Sequence, residues 1–541
     1  MEAPQAAMNA GPRMMRAEWA LVVWLFLLAF VPVMLTANDY GPTYDEPHYV
    51  SAGVRYAEWW VEALRSPREA LTRDAIAETW ALNHEHPPLQ KMKSGFSQRW
   101  LGAMLPGLMA ARLPSAAWLA LTVCAVYLFS RRVWGRRGAL FGALALTWMP
   151  RVFAHAHFAA LDAPIMAWFF ITAVLMAEAM RRRSWGWAAL AGAAFGIALL
   201  AKVNAFFLPV LLIPWALIWH RREWPKLVLA LAVIGPAVFF AFWPWLWIAP
   251  VAHLREYLEF HLRHAAYNVW YLGRLYQHAP WHYPFVMTAV TTPALVMALA
   301  VGGMARCWPR RAWHSDRALL LFGLAIALLP SALPGSPKYN GERLFLPAFP
   351  FLAALVGGGF AWLQLRVMRL LRAEGLLSGL ACAVLGLALL VPSRSVLQGT
   401  HPYQLAYYNA LVGGTRGATE RGFETIYWGQ VYQEAPSFLN SVAEPNPRVL
   451  VIPRGVIYLL EFQQQAGALR PDVQFTGDER EAGAVDYVMF QAMQSDHTNL
   501  CWQLVQNEEP AWALRLSDGA ALLLAYDREA VASALVDRLA R

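Results

Sequence analysis

Long apolar stretches separated by short basic links dominate the hydrophobic pattern of this chain. Apolar runs of roughly 17–23 residues are long enough to cross the hydrocarbon core of a bilayer as helices. The pattern predicts eleven spans, although the third is short and the 185–219 stretch can be divided differently. The predicted spans are 19–37, 109–130, 138–152, 163–180, 185–201, 203–219, 227–248, 285–305, 317–333, 345–365 and 376–392.

Composition supports a polytopic α-helical membrane protein. Of the 541 residues, 58% are hydrophobic and only 15% are charged, and a soluble chain of this length would need more polar surface. The net charge of +9 does not predict nucleic-acid binding, because the basic residues cluster in the links between spans. The first apolar run has no small-residue cleavage site and is read as a retained helix. The four cysteines show no spacing typical of disulfides or thiolate metal sites.

The charge of the links predicts the orientation. Alternate links, beginning with Arg13 and Arg16, are basic, as the positive-inside rule expects of cytoplasmic loops. The further basic links are 131–137, 181–183, 221–226, 306–317 and 366–372. The opposite, external links carry the acidic residues and histidines and are 38–108, 153–162, 249–284, 334–344 and everything after 393. We expect a multi-pass protein of the cell (inner) membrane with a cytoplasmic N-terminus.

Three regions are predicted. Residues 1–18 form a disordered cytoplasmic N-terminus, 19–393 a transmembrane domain, and 394–541 a small external α/β domain. In the last region, β-rich runs end in a hairpin around Ser517, Asp518 and Gly519. The predicted strands are 448–452, 473–475, 485–490, 512–516 and 521–526.

The first external loop contains the sequence YDEPHY, from Tyr44 to Tyr49, followed by an amphipathic helical pattern. Its aromatic residues suit a helix at the membrane interface. Pro47 fits a first helical turn, so Asp45 or Glu46 could simply cap that helix. The alternative is a functional carboxylate pair.

Two further polar clusters lie in the external links. Residues 83–91 (NHEHPPLQK) contain a double proline that excludes helix, and His155 and His157 precede Asp162 at the start of the fourth span. Asp162 could also be a helix cap. The two His-x-His pairs invite a metal interpretation, but a zinc site needs three or four converging ligands. We therefore predict no required metal.

These segments, in their order and spacing, resemble the GT-C superfamily of membrane glycosyltransferases. The resemblance is closest to the protein O-mannosyltransferase and aminoarabinose-transferase group and covers about residues 40–450. Tyr427 departs from the pattern, because an acidic residue is expected there. The strings that carry the resemblance are YDEPHYVSAGVRYAEW, HEHPPLQK, AHAHFAALDAPIMAWFF, ERLFLPAFPFLAAL, HPYQLAYYNALVGG and YWGQVYQEAPSFLN.

The resemblance implies a transferase that moves a sugar from a polyprenyl-phosphate donor to an acceptor hydroxyl on the external face, by inverting single displacement. It places a catalytic base at Asp45, with support from Glu46 and Asp162. His48, His86 and His155 fall on family-like positions, with no assigned role. We expect the acceptor to be a protein, a lipid or a glycan, and we expect contacts with membrane lipids.

The leaving group of such a donor is a phosphate monoester, which needs nearby positive charge and no general acid. Because the donor lacks a pyrophosphate, no cofactor is expected to be required. The cations predicted to contact the phosphate are Lys202, Arg343, Arg274, Arg263 and Lys91. Two rival functions share the spans and cations: a transporter or flippase for a lipid-linked sugar, and a non-catalytic binder of such lipids. The transporter does not easily explain the acidic first loop together with an external soluble domain, and the non-catalytic binder stays open.

Overall fold

The computed structural model describes residues 16–263, 267–307, 315–372 and 374–540. Residues 1–15 of the N-terminus predicted to be disordered, and the middle of the 306–317 link, lie outside the described residues. The prediction of disorder is wrong for residues 16–18, because α1 already begins at Arg16. The helices before residue 263 are α1 (Arg16–Leu35), α2 (Glu46–Arg65), α3 (Pro67–Ala70), α4 (Arg73–Trp80), α5 (Leu89–Leu101), α6 (Met109–Thr147), α7 (Pro150–His155), α8 (Asp162–Arg182), α9 (Trp185–Ala201), α10 (Leu208–Trp219), α11 (Trp224–Val228), α12 (Gly235–Ala241), α13 (Trp245–Ile248) and α14 (Pro250–Leu262).

The remaining elements complete the bundle and form a separate sheet. The later helices are α15 (Tyr283–Thr291), α16 (Ala294–Cys307), α17 (Ser315–Ala332), α18 (Ala348–Leu370), α19 (Gly375–Gly399), α20 (Gly414–Glu420), α21 (Ala435–Leu439), α22 (Ile457–Gln465), α23 (Asn499–Asn507) and α24 (Arg528–Ala540). The strands are β1 (Val269–Tyr271), β2 (Arg274–Tyr276), β3 (Arg448–Ile452), β4 (Gln474–Thr476), β5 (Tyr487–Gln491), β6 (Trp512–Arg515) and β7 (Ala521–Asp527).

Seven helical segments of the described residues are long and apolar enough to cross a membrane, and three more are apolar but only 10–17 residues long. All eleven predicted spans fall on helical segments, but the ends of the helices differ from the predicted ends of the spans. Two of them lie in α6, on either side of a kink at Gly135, where φ is +77°. The predicted span 285–305 is broken into α15 and α16 at Pro293, which cannot donate a backbone hydrogen bond.

The central helix of the bundle is α18, which packs against α6, α16 and α17. Its first half is buried on all sides, as expected of a helix surrounded by other helices. α19 lies at the periphery and continues to Gly399. The domain boundary predicted at 394 therefore falls inside this helix, because the apolar pattern ends before the helix does.

The loop between α1 and α6 folds into four helices, α2 to α5. α2 packs directly on α5, and a Cβ built on Gly95 would lie 1.8 Å from the carbonyl oxygen of Gly53. Glycine at these two positions therefore allows the two backbones to touch. One face of α2 buries Tyr56 and Trp59 against Trp80. This contact anchors the second half of α2, and the acidic pair lies at its opposite end.

The C-terminal region contains a five-stranded sheet in the order β4-β3-β5-β7-β6. β3 pairs in parallel with β4 and β5, and β7 pairs antiparallel with β5 and β6. The predicted hairpin forms, with β6 and β7 around Ser517, Asp518 and Gly519. Alternate residues of the central strands enter two separate hydrophobic clusters, one on each face of the sheet. One of these clusters also contains Tyr49 and Trp428, so this face packs against the first loop.

Candidate active site

Asp45 lies immediately before α2, at the N-cap position, yet its side chain makes no capping hydrogen bond. The carboxylate oxygen Oδ2 instead accepts hydrogen bonds from Arg343 Nη2 at 2.6 Å and from Trp428 Nε1 at 2.9 Å. The side chain of Asp45 is 31% exposed. The capping alternative is therefore wrong for Asp45, because its oxygen is engaged by partners far away in the sequence.

Asp162 joins the same cluster from the first turn of α8. Its Oδ2 accepts from Arg343 Nε at 3.1 Å, and its Oδ1 accepts from Lys202 Nζ at 2.6 Å. The side chain of Asp162 is fully buried, so its charge needs both cations. The capping alternative is wrong here too, because the N-cap position of α8 is Leu161.

Asp45, Arg343, Asp162 and Lys202 form a row of alternating charges, which we call the charged row. It is assembled where α8 begins, where α9 ends and at the short 3-10 turn that precedes α18. The structure thus brings together four of the residues predicted for the site. Ionisable groups at the ends of apolar helices are costly unless they are paired or wetted, and only Asp45 of the four is substantially open to solvent.

Glu46, the neighbour of Asp45, points elsewhere. Its carboxylate is fully buried and pairs with Arg112 at 2.7 Å. The backbone N–H groups of Thr43 and Ala159 donate to the same carboxylate. Both of its oxygens are occupied by protein partners, including the backbone N–H groups of Thr43 and Ala159.

His155 belongs to a second buried network beside the charged row. Glu342 accepts from Arg151 at 2.8 Å, and His155 Nε2 lies 3.5 Å from its other oxygen. The Tyr427 hydroxyl donates to Glu342 at 3.2 Å. Burial alone would raise the pKa of Glu342, but Arg151 and His155 outweigh burial and lower it. Tyr427, where the resemblance expects an acid, is thus a partner of Glu342.

Trp428 connects the two networks. Its ring face lies 3.8 Å from the Arg343 guanidinium and 5.4 Å from the ring of His155. Sequence reasoning assigned no role to Trp428, Glu342, Arg151 or Arg112. The motifs around residues 342 and 427 contain Glu342 and Trp428, whereas Arg112 and Arg151 lie outside the strings that carry the resemblance.

Lys91 is buried away from the charged row. Its ammonium donates to the carbonyl oxygens of Asn83 and His86, at 2.6 and 2.7 Å, and to Asn83 Oδ1 at 3.2 Å. Burial lowers the pKa of Lys91 to about 7, against the opposing effect of Glu85. Lys91 therefore closes the loop that carries the double proline, and its three donors are already occupied.

The other predicted residues lie around this site. Arg263 at the end of α14 and Arg274 in β2 are exposed and lie outside the charged row. His86 is half-buried and packs edge-on against Tyr49, and desolvation and then Lys91 lower its pKa. His48, one turn after Asp45, lines a cavity of about 310 Å³ between α2 and the loop at Asn83 and Glu85. The part of the chain that the structure describes contains no group of three or more side chains placed to hold a metal ion.

Comparisons with known proteins agree with this architecture. Residues 99–248 match the family model for dolichyl-phosphate-mannose-protein mannosyltransferase. An undecaprenyl phosphate-alpha-4-amino-4-deoxy-L-arabinose arabinosyl transferase of Pseudomonas aeruginosa (strain LESB58) is 29% identical over 344 residues, 61% of this chain and 60% of the relative. The same protein of strain UCBPP-PA14 is 30% identical over 345 residues, with the same coverage. The chain thus spans 60% of the length of these curated relatives.

A solved structure gives the same fold over almost the whole chain. ArnT from Cupriavidus metallidurans, bound to undecaprenyl phosphate, matches with a TM-score of 0.50 and 17% identity. The match covers 94% of this chain and 98% of that protein. The predicted resemblance to GT-C membrane glycosyltransferases is confirmed, as is the fold class of a multi-pass helical membrane protein with a small C-terminal sheet domain.

Proposed function

We propose that this protein is a glycosyltransferase that moves a sugar from a polyprenyl-phosphate donor to an acceptor hydroxyl, with Asp45 as the general base. The observation that carries the proposal is the charged row. The partly exposed carboxylate of Asp45 pairs with Arg343, and the fully buried carboxylate of Asp162 pairs with both Arg343 and Lys202. The names of the curated relatives support a polyprenyl-phosphate donor for this chain.

The chemistry follows from the charges. The acceptor oxygen forms a bond to the anomeric carbon while the bond from that carbon to the phosphate oxygen breaks. The phosphate monoester leaves as an anion, and Arg343 and Lys202 supply the positive charge that stabilises it. The acceptor proton moves to Asp45, which must lie within hydrogen-bond reach of the hydroxyl. A single displacement inverts the configuration at the anomeric carbon.

The site is proposed to face the outside of the inner membrane. Arg131 pairs with Glu18, and Arg132 bridges Glu178 and Asp316, each at 2.7 or 2.8 Å. These contacts gather basic side chains beside the kink of α6 at Gly135 and at the last turns of α8, and Asp162 of the charged row lies at the opposite end of α8. The positive-inside rule assigns such an end to the cytoplasm. The acceptor is a hydroxyl of a protein, a lipid or a glycan.

The decisive experiment is Asp45→Asn in purified protein reconstituted into lipid nanodiscs. Transfer from undecaprenyl-phosphate-linked mannose and aminoarabinose to a crude envelope acceptor fraction is measured with a labelled sugar. We expect a loss of about 10²- to 10⁴-fold, because the amide keeps the shape of the side chain but cannot take a proton. Thermal unfolding and undecaprenyl-phosphate binding should stay near the wild-type values.

Asp39→Asn is the matched control. Asp39 lies in the same loop, is 49% exposed and accepts from His401 at 2.7 Å, so its loss should leave transfer intact. Wild-type transfer rates in Asp45→Asn would overturn the assignment of the base. A wild-type protein that binds the lipid but transfers neither sugar would instead favour a transporter or a non-catalytic binder.

A further inference from the structure

The C-terminal region reaches into the site through Tyr44, the residue before Asp45. The backbone N–H of Tyr44 donates to the carbonyl oxygen of Trp428 at 3.1 Å, and its own carbonyl oxygen accepts from the Tyr458 hydroxyl at 2.5 Å. The Tyr44 hydroxyl accepts from Gln491 Nε2. Three residues of the C-terminal region therefore hold one residue of the first loop, on its backbone and its side chain.

The side chain of Trp428 contacts the charged row directly. Its indole N–H donates to Asp45 Oδ2, and the face of the ring lies against the Arg343 guanidinium. Trp428 is fully buried. Cation–π contact of this kind restrains the guanidinium plane, and it is stronger where water is excluded.

The backbone at Trp428 has an unusual conformation. Its φ is +82°, which is rare for a residue with a large side chain, and the next residue, Gly429, has a φ of +83°. A Cβ built on Gly429 would lie 2.4 Å from the ring of Tyr44. The surrounding contacts keep Trp428 in this unfavourable conformation, and such outliers concentrate at functional sites.

The two oxygens of Asp45 differ as a result. Oδ2 accepts from both Arg343 and Trp428, whereas no hydrogen bond within the described ranges reaches Oδ1. With Oδ2 occupied, Oδ1 is the oxygen left to receive a proton. The orientation of the carboxylate thus depends on an indole supplied by the C-terminal region.

We propose that Trp428 is a positioning residue for the transfer reaction, and that the C-terminal region completes the active site by clamping Tyr44 and Asp45. This inference rests on the proposed function. Trp428 holds Oδ2 so that Oδ1 faces the acceptor hydroxyl, and it keeps Arg343 oriented toward the donor phosphate. The C-terminal region is then a part of the catalytic centre and not only an attached domain.

Trp428→Phe tests the inference because it keeps an aromatic ring but removes the N–H donor. We expect kcat to fall about 10- to 100-fold, the range for losing one hydrogen bond to a charged group. KM for the donor should change much less. The pH–activity profile should also change, because the variant lacks the indole N–H that donates to the Asp45 carboxylate.

Trp118→Phe is the matched control. The indole of Trp118 donates to Gln90 Oε1 at 2.9 Å and is also buried, but it does not touch the charged row. This variant loses a comparable buried hydrogen bond and should keep the wild-type kcat and pH profile. If Trp428→Phe behaved like Trp118→Phe, the positioning role would be wrong.

A second measurement separates this inference from the proposed function. Hydrogen exchange of the segment 43–46 is followed by mass spectrometry in Trp428→Ala, and we expect exchange at least about tenfold faster than in the wild type, since the clamp protects the Tyr44 amide. Unchanged exchange would refute the clamp even if the enzyme is active. If the wild type transfers no sugar but exchange accelerates, the proposed function fails and the clamp stands.

Discussion

Asp45 and Glu46 are neighbours in the chain, and each meets an arginine, but the two pairs are built differently. Arg112 donates to Glu46 from Nε and Nη2, along one edge of its guanidinium, and donates further to the carbonyl oxygens of Ala37, Tyr40 and Gly41. The Glu46 carboxylate also receives two backbone N–H groups. In this pair all the donors and acceptors are occupied by the protein.

The pair of Asp45 and Arg343 has fewer protein partners than the pair of Glu46 and Arg112. Arg343 divides its donors between Asp45 and Asp162, and Asp45 keeps an open oxygen and 31% exposure of its side chain. The comparison shows that residue type alone does not distinguish a carboxylate that the protein satisfies completely from one that it leaves partly open. What distinguishes them is the number of lone pairs that the fold leaves free, and whether a substrate can reach them.

The largest effect is expected when the pair of Glu46 and Arg112 is broken. Arg112→Met leaves Glu46 buried without a counter-charge, and removing one partner of a buried pair costs about 3–5 kcal/mol. We expect a strongly lowered unfolding temperature in detergent. Arg112→Met combined with Glu46→Gln should recover part of the loss, because the uncompensated charge is gone. If Arg112→Met unfolded at the wild-type temperature, the pair would not be structural.

Breaking the pair of Asp45 and Arg343 should instead reduce activity. Arg343→Met removes positive charge from the leaving phosphate, and the loss of one such electrostatic contact typically costs about 10²- to 10³-fold in kcat. Asp162 keeps Lys202 at 2.6 Å and Asp45 is partly solvated, so the unfolding temperature should fall much less than in Arg112→Met. The measurement is sugar transfer alongside thermal unfolding.

Arg274→Met is the informative comparison for Arg343→Met. The sequence predicts a phosphate contact for Arg274, whereas the structure places this side chain on the exposed hairpin of β1 and β2. We expect near wild-type transfer. A loss as large as that of Arg343→Met would mean that the hairpin joins the site when the donor binds.

The sequence could predict much of this arrangement because spans, links and hairpins are local patterns. The apolar periodicity placed the helices, and topology put Asp45, Asp162, Lys202 and Arg343 on one side of the membrane. The pairs themselves are not local, since Asp45 and Arg343 are 298 positions apart. Nothing in the composition of the first loop reveals that Glu46 turns toward Arg112 while Asp45 turns toward Trp428.

Three of the predicted phosphate contacts lie outside the charged row for the same physical reason. Lys91, Arg263 and Arg274 lie in the external links, as charged residues suited to phosphate would, but the fold of each link decides where they point. The ammonium group of Lys91 donates its hydrogen bonds to the carbonyl oxygens of its own loop. The roles of all the site residues remain predictions. The structure reduces the set of candidate residues to the four that form the charged row.

Glu424 is a further buried carboxyl and differs from Glu46, because no arginine or lysine is paired with it in the described part of the chain. Glu424 is buried, accepts from the backbone N–H of Ser495 at 2.9 Å and forms no ion pair within the described ranges. Burial raises the pKa of Glu424 to about 8 from its ordinary value of 4.5. The raised pKa holds Glu424 in the neutral form at neutral pH.

The raised pKa of Glu424 fixes the sign of a pH effect. Between the unfolded and folded pKa values the native state binds more protons than the unfolded state, so stability is greatest at low pH and falls as pH rises toward 8. Because a group in this range contributes about 1.4 kcal/mol per pH unit at most, we expect the smallest of these effects, about 1 kcal/mol between pH 6.5 and 7.5. Glu424→Gln should lack this component, so its unfolding temperature should fall less than that of the wild type over the same interval. Equal slopes for the two proteins would show that Glu424 is already ionised in the native state.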